Sequence, residues 1–237
     1  MTDMLDRNAT GSFGSYWPFW LALAITIAFC GYGMLTGTSA YDFVQESGVI
    51  ENASVVIFFC GALGFVVLRP DLAFGRGWHV LVIMLLFAAR ELDFDKRFTE
   101  KGVLQSRLYS GDYPLEQKLI GAAVVLLILW TVYRLVRYGW RPFLRGLRDG
   151  SLWAWIIAAA CVTVAISKSL DGAGRKLAPY GIELSPETDF TLVVLEEVGE
   201  LGFGLLLVFA ICSWVRSERV SLSGAETFPA PSAGSKI

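Results

Sequence analysis

Apolar residues gather into six runs, near 16–35, 50–68, 78–97, 118–138, 151–168 and 189–214, separated by polar connections. Five of them match the roughly 20 residues that a helix rising about 1.5 Å per residue needs to cross a hydrocarbon core about 30 Å thick. The third does not, because its uninterrupted apolar stretch ends at Ala89. It reaches spanning length only if Arg90-Glu91-Leu92-Asp93-Phe94-Asp95-Lys96-Arg97 supplies its last two turns. The pattern predicts an all-α integral membrane protein: a bundle of six transmembrane helices over 16–218, a flexible polar segment over 1–15, and a disordered Ser-, Ala-, Gly- and Pro-containing tail over 219–237. Ser185-Pro186 has the form of an N-cap followed by proline at the first helical position. The sixth helix is therefore expected to start in the preceding loop and to project beyond the bilayer.

The charges that close the third run dominate its energetics. Each costs about 2.5 to 3.5 kcal/mol at the centre of a spanning helix and less near its end, whereas a large apolar residue returns only about 0.3 to 0.6 kcal/mol. Such a helix cannot show these groups to lipid. It must turn them toward protein or water, and an ionisable cluster at membrane depth is by default a candidate functional site.

Basic residues orient the bundle. Arg69 and Arg76 follow the second run, and Arg134, Arg137, Arg141, Arg145 and Arg148 surround the end of the fourth, while Arg216 and Arg219 follow the sixth. The positive-inside rule then puts both termini in the cytoplasm. Trp17, Trp20, Trp78, Trp140, Trp153, Trp155 and Trp214 fall at the same interface, where indoles anchor, and only Trp130 lies elsewhere. The expected location is a bacterial cytoplasmic membrane, with the acidic residues toward its outer side.

Composition narrows the partners. Of 237 residues 54% are hydrophobic and the formal net charge is only −2, so membrane lipids are the expected partners and nucleic acid is not. Cys30, Cys60, Cys161 and Cys212 lie in apolar runs without C-x-x-C spacing and read as buried small hydrophobes. The single histidine, His79, sits beside Trp78 at the inner interface, away from the acids. A His-ligated zinc or haem centre is thereby disfavoured, and no phosphate loop or dinucleotide fingerprint points to a nucleotide. A short repeat, basic-x-Leu-Asp-x3-Arg, ends both the third and fifth helices as Arg90 to Arg97 and Lys168 to Arg175.

Placed at their depths, Glu51, Glu91, Asp93, Asp95, Asp171, Glu196, Glu197 and Glu200 all fall in the outer half. At about 100° per residue Glu196, Glu197 and Glu200 share one arc of the sixth helix, with Gly199, Gly202 and Gly204 allowing close helix approach. By helical rise Glu200 is expected some 15 Å deep. The same projection divides the third helix end. Arg90, Asp93 and Arg97 form a self-neutralising face expected to brace the bundle, and Glu91 with Asp95 form a face without a basic partner. The eight acids stand against six bases, Arg90, Lys96, Arg97, Lys168, Arg175 and Lys176, and the excess is balanced by one divalent cation or by two protons.

These positions predict a membrane-embedded enzyme acting on a lipid or lipid-linked substrate. Glu91, Asp95, Glu197 and Glu200 are the candidate catalytic groups. Glu51, Glu91, Asp95, Asp171, Glu196, Glu197 and Glu200 are the candidate ligands of a hard cation such as Ca²⁺, Mg²⁺ or Mn²⁺. Lys168, Arg175 and Lys176 are candidates to receive an anionic head group. A cation- or proton-coupled transporter or channel is the alternative, with Glu200 the deepest relay station. A third reading is a structural subunit whose charges tie helices together.

Overall fold

The computed structural model of the chain describes residues 14–39, 42–43 and 48–226, without the side chains of 95 and 219–226. Its long helices are α1 (Trp17–Leu35), α2 (Val49–Leu68), α4 (Trp78–Glu91), α6 (Leu115–Arg148), α7 (Leu152–Leu170) and α9 (Pro186–Glu226). Short helices α3 (Pro70–Ala73), α5 (Ser106–Ser110) and α8 (Ala173–Leu177) and the 3-10 turns Phe94–Arg97 and Ala178–Tyr180 lie in the connections. Among the described residues there is no strand.

Five helices, α1, α2, α6, α7 and α9, are long and apolar enough to cross a membrane. The exception, α4, has 14 residues, which is about 21 Å at about 1.5 Å per residue and well short of a hydrocarbon core. The expected continuation to 97 does not form. Leu92 N–H still donates to the Ala88 carbonyl at 3.1 Å, but Asp93 takes a left-handed conformation at φ 46° and the chain turns into the 3-10 segment. Aspartate tolerates that region better than most residues, and Asp93 accepts from Lys96 Nζ at 2.6 Å across the turn.

α2 is the central helix, packed against α1, α4 and α9, while α7 lies along α9 and α6 stands at the edge. Small residues make this possible. A Cβ on Gly61 would collide with Met84 of α4 and Val208 of α9, so three helices meet at that one position. Ile57, Phe58, Met84, Val208 and Cys212 fill the core around it. Cys60 is buried with them, but Cys161 is exposed, because it lies on the face of α7 turned away from α9. A stripe of large apolar side chains on α6, including Leu126, Leu129 and Trp130, is likewise exposed, as lipid-facing residues are.

The start of α9 follows its sequence signal: the Thr188 backbone N–H donates to Ser185 Oγ at 3.2 Å, ahead of Pro186 at the first helical position. Its end does not, since the helix continues to Glu226, eight residues into the expected tail. The expected segment 1–15, apart from Gly14 and Ser15, and the rest of the tail lie outside the described residues. α6 also runs on from the expected 138 to Arg148, through Pro142.

Candidate functional site

Three helices terminate at one end of the bundle and a fourth passes them. α2 begins there with Glu51 in its first turn, α4 stops at Glu91 and α7 stops at Leu170. α9 continues beyond all three, with Asp189 beside Gly174 of α8. The early stop of α4 leaves a recess, a cavity of about 190 Å³. Glu51, Glu91, Asp171, Glu196, Glu197 and Glu200 line it with Lys168, and so do Arg90, Asp93 and Lys96.

The charges are graded from rim to floor. Side chains at the rim are about half exposed, 46% for Asp171 and 55% for Lys96, whereas Glu91 and Glu200 keep only 8% and 10%. Glu200 is held from both sides, by Arg90 Nη1 at 3.4 Å and by an ion pair with Lys168. Arg90 also meets Glu91 at 2.9 Å, and Lys168 reaches Glu196 at 3.8 Å and Asp171 at 4.0 Å. Two bases from two helices thus tie down four carboxylates. Ser167, directly against Gly199, brings α7 close enough to α9 for Lys168 to do this.

Glu197 differs from its neighbours. It is half-buried and lines the same cavity, yet among the described residues it makes no ion pair or hydrogen bond.

Several expectations change in this geometry. Arg90, Asp93 and Arg97 do not form a ladder, because the helical register that would align them ends at Glu91. Arg90 points instead to Glu91 and Glu200, Asp93 pairs with Lys96, and the Arg97 guanidinium lies 6.0 Å over the Phe94 ring. Glu91 accordingly has a basic partner. The Asp95 side chain lies outside the described residues. Arg175 and Lys176 are exposed on α8 and do not line the cavity; Lys176 Nζ donates to the Lys168 carbonyl at 3.3 Å. Glu200 lies well inside α9 but level with the last turns of α4 and α7, so its depth is that of a recess floor rather than of the bundle's middle. His79 is at the other end, buried against α6 with its ring 6.3 Å from Tyr138.

The repeated sequence motif acquires a structural meaning. In both copies a helix stops at Leu-Asp, at Leu92-Asp93 and Leu170-Asp171, and the base two residues before the leucine, Arg90 or Lys168, reaches Glu200. Read as a helix stop, that motif was the available signal for Arg90.

Below Glu200 the cavity closes. Phe58, Phe87 and Phe203 pack with ring centroids 5.1 to 6.2 Å apart, around a void of about 20 Å³. That is room for a single water. Among the described residues no group of three or more His, Cys, Asp or Glu is placed to hold a metal ion, since Arg90 and Lys168 occupy the spaces between the carboxylates. No protein-family model, curated protein or solved structure matches the chain.

Proposed function

We propose that the chain is a membrane-embedded enzyme of six spans that uses Glu197 as a general acid or base on the head group of a lipid or lipid-linked substrate. The observation that carries this reading is the contrast between Glu197 and Glu200: adjacent turns of one helix present an unpaired carboxylate and a doubly paired one to the same blind cavity. Two carboxylates in unlike environments are what acid/base chemistry uses, one held in ion pairs and one free of them. Arg90 and Lys168 hold Glu200 in place, and Arg90 also orients Glu91. A cavity of about 190 Å³ is smaller than the roughly 300 Å³ at which drug-sized pockets begin, so it suits a polar head group whose tails remain in lipid.

Six spans are supported by α4, which despite its length runs from Trp78, beside Arg134, to Glu91 at the cavity. A common side for the two termini is supported by Arg216, which lies 5.7 Å over the Tyr16 ring. With the basic end in the cytoplasm, the cavity opens to the outer side of a bacterial cytoplasmic membrane. A divalent cation would join these carboxylates only after Arg90 and Lys168 had moved aside. A proton or cation relay would have to continue past Phe58, Phe87 and Phe203, and their packing ranks transport second.

The test is comparative lipid mass spectrometry of membranes containing the wild-type chain or Glu197→Gln. We expect one lipid or lipid-linked species to be converted by the wild type, and conversion to fall about a hundredfold or more in the variant, as loss of a general acid or base does. Identical lipid profiles, together with Glu197-dependent proton flux in liposomes, would replace this reading with the transporter.

A further inference from the structure

We propose that the end of α6 remote from the cavity is a binding surface for anionic phospholipid, whose phosphates are taken by Arg137, Arg141, Arg145 and Arg148. At about 100° per residue these four and Arg134 fall within an arc of about 80°, so a single helical face carries five guanidiniums. The first is used inside the protein. Arg134 donates to the Arg76 carbonyl at 3.0 Å and lies over the rings of Trp78 and Tyr138 at 5.3 and 4.9 Å. The other four are exposed, and among the described residues none has an acidic partner.

Their level along the bundle selects the partner. Arg134 and Tyr138 face Trp78 and His79, the first turn of α4, so residues 139–148 extend past the inner end of that helix. Gly146 nevertheless packs on Trp153 and Ala154, in the first turn of α7, which keeps the extension against the bundle at the bilayer surface. Tyr138 and Trp140 are 56% and 54% exposed beside the arginines. Amphipathic rings at such a level sit among lipid head groups, and guanidinium groups bind phosphate with two parallel hydrogen bonds. A row of unpaired arginines flanked by interfacial aromatics is complementary to a leaflet of phosphate esters with net negative charge. A soluble polyanion would meet the charge but leave the aromatic rings unused.

The experiment titrates the purified full chain with phosphatidylglycerol and, separately, with phosphatidylcholine, and counts bound lipid by native mass spectrometry. The wild type is expected to prefer phosphatidylglycerol. The variant carrying R137Q, R141Q, R145Q and R148Q is expected to lose about tenfold or more of that preference, from about fivefold per arginine near a charged surface. Retained preference in that variant overturns the proposal, as does a wild-type chain that binds both lipids equally. The pair R145Q and R148Q, at the helix end, is expected to lose a smaller part of the preference and serves if the fourfold variant does not fold. Heparin binding at these arginines without phosphatidylglycerol binding would also overturn it. Arg175→Gln, at the opposite end, is expected to leave the preference unchanged.

Discussion

The two ends of the bundle use charge in opposite ways. At the cavity end the carboxylates are drawn inward and tied to a few bases, with Glu200 gripped by Arg90 and Lys168. At the other end most charges stay at the surface, and the interhelical pair there, Arg69 with Glu218 at 3.2 Å, has a carboxylate that is 42% exposed. The difference follows from where helices stop. At the cavity end α4 stops short and leaves room inside the bundle; at the other end α6 and α9 run on, and their charged turns project outward. A charge brought inward needs partners of opposite sign, because desolvation is expensive. A charge left outward is free to meet something other than protein.

Removing the partners at the cavity end should have the larger effect. Arg90→Gln with Lys168→Gln leaves Glu200 without either base. A buried charge stripped of its partner costs about 3 to 5 kcal/mol, and water at the half-exposed Arg90 lowers the expected loss to about 3 kcal/mol. Adding Glu200→Gln should recover part of it, because the doubly held charge is then gone while Glu91 and Glu196 still lack their bases. Unfolding in a fixed detergent or nanodisc measures both variants. An unchanged midpoint in the double variant would show that the grip on Glu200 holds nothing together.

The sequence carried most of the helices and only part of this grip. α1, α2 and α7 start and end within two residues of their apolar runs, because in a membrane the edge of an apolar run is also the edge of the solvent. The extensions of α6 to Arg148 and α9 to Glu226 were invisible to that criterion, being polar helix beyond the apolar window. The break at Asp93 was missed for another reason. Projecting 90–97 onto one helix assumes that the helix continues, and a single left-handed residue rotates everything after it. Hence Glu51, Glu91, Asp171, Glu196, Glu197, Glu200 and Lys168 were grouped by depth, which survives a break. The partition of Arg90, Asp93 and Arg97 by angle does not. Glu197's isolation was legible in neither way, since it depends on which bases its neighbours occupy.

Cutting the pair at the opposite end should cost less. Arg69→Gln loses two hydrogen bonds to Asp71 and one to Glu218. Partners this exposed contribute little, so the loss should be well below that of the cavity double variant and should shrink at high salt. A loss as large as that of the cavity double variant would remove the contrast between the two ends.

The smallest effect separates the members of that pair by pH. Arg69 Nε and Nη2 donate to the two Asp71 oxygens at 3.0 Å each, and these hydrogen bonds hold the carboxyl below its ordinary range. A carboxyl with a depressed folded value contributes stability above its unfolded value of about 3.9, and that contribution disappears as pH falls through the depressed value. Asp71→Asn should therefore melt slightly below the wild type at neutral pH, and the two curves should merge under acid conditions. Glu218 keeps its own contact with Arg69, so Arg69→Gln should melt below Asp71→Asn at neutral pH. If Asp71→Asn and wild type differ by the same amount at both pH values, the carboxylate charge is not what Asp71 contributes.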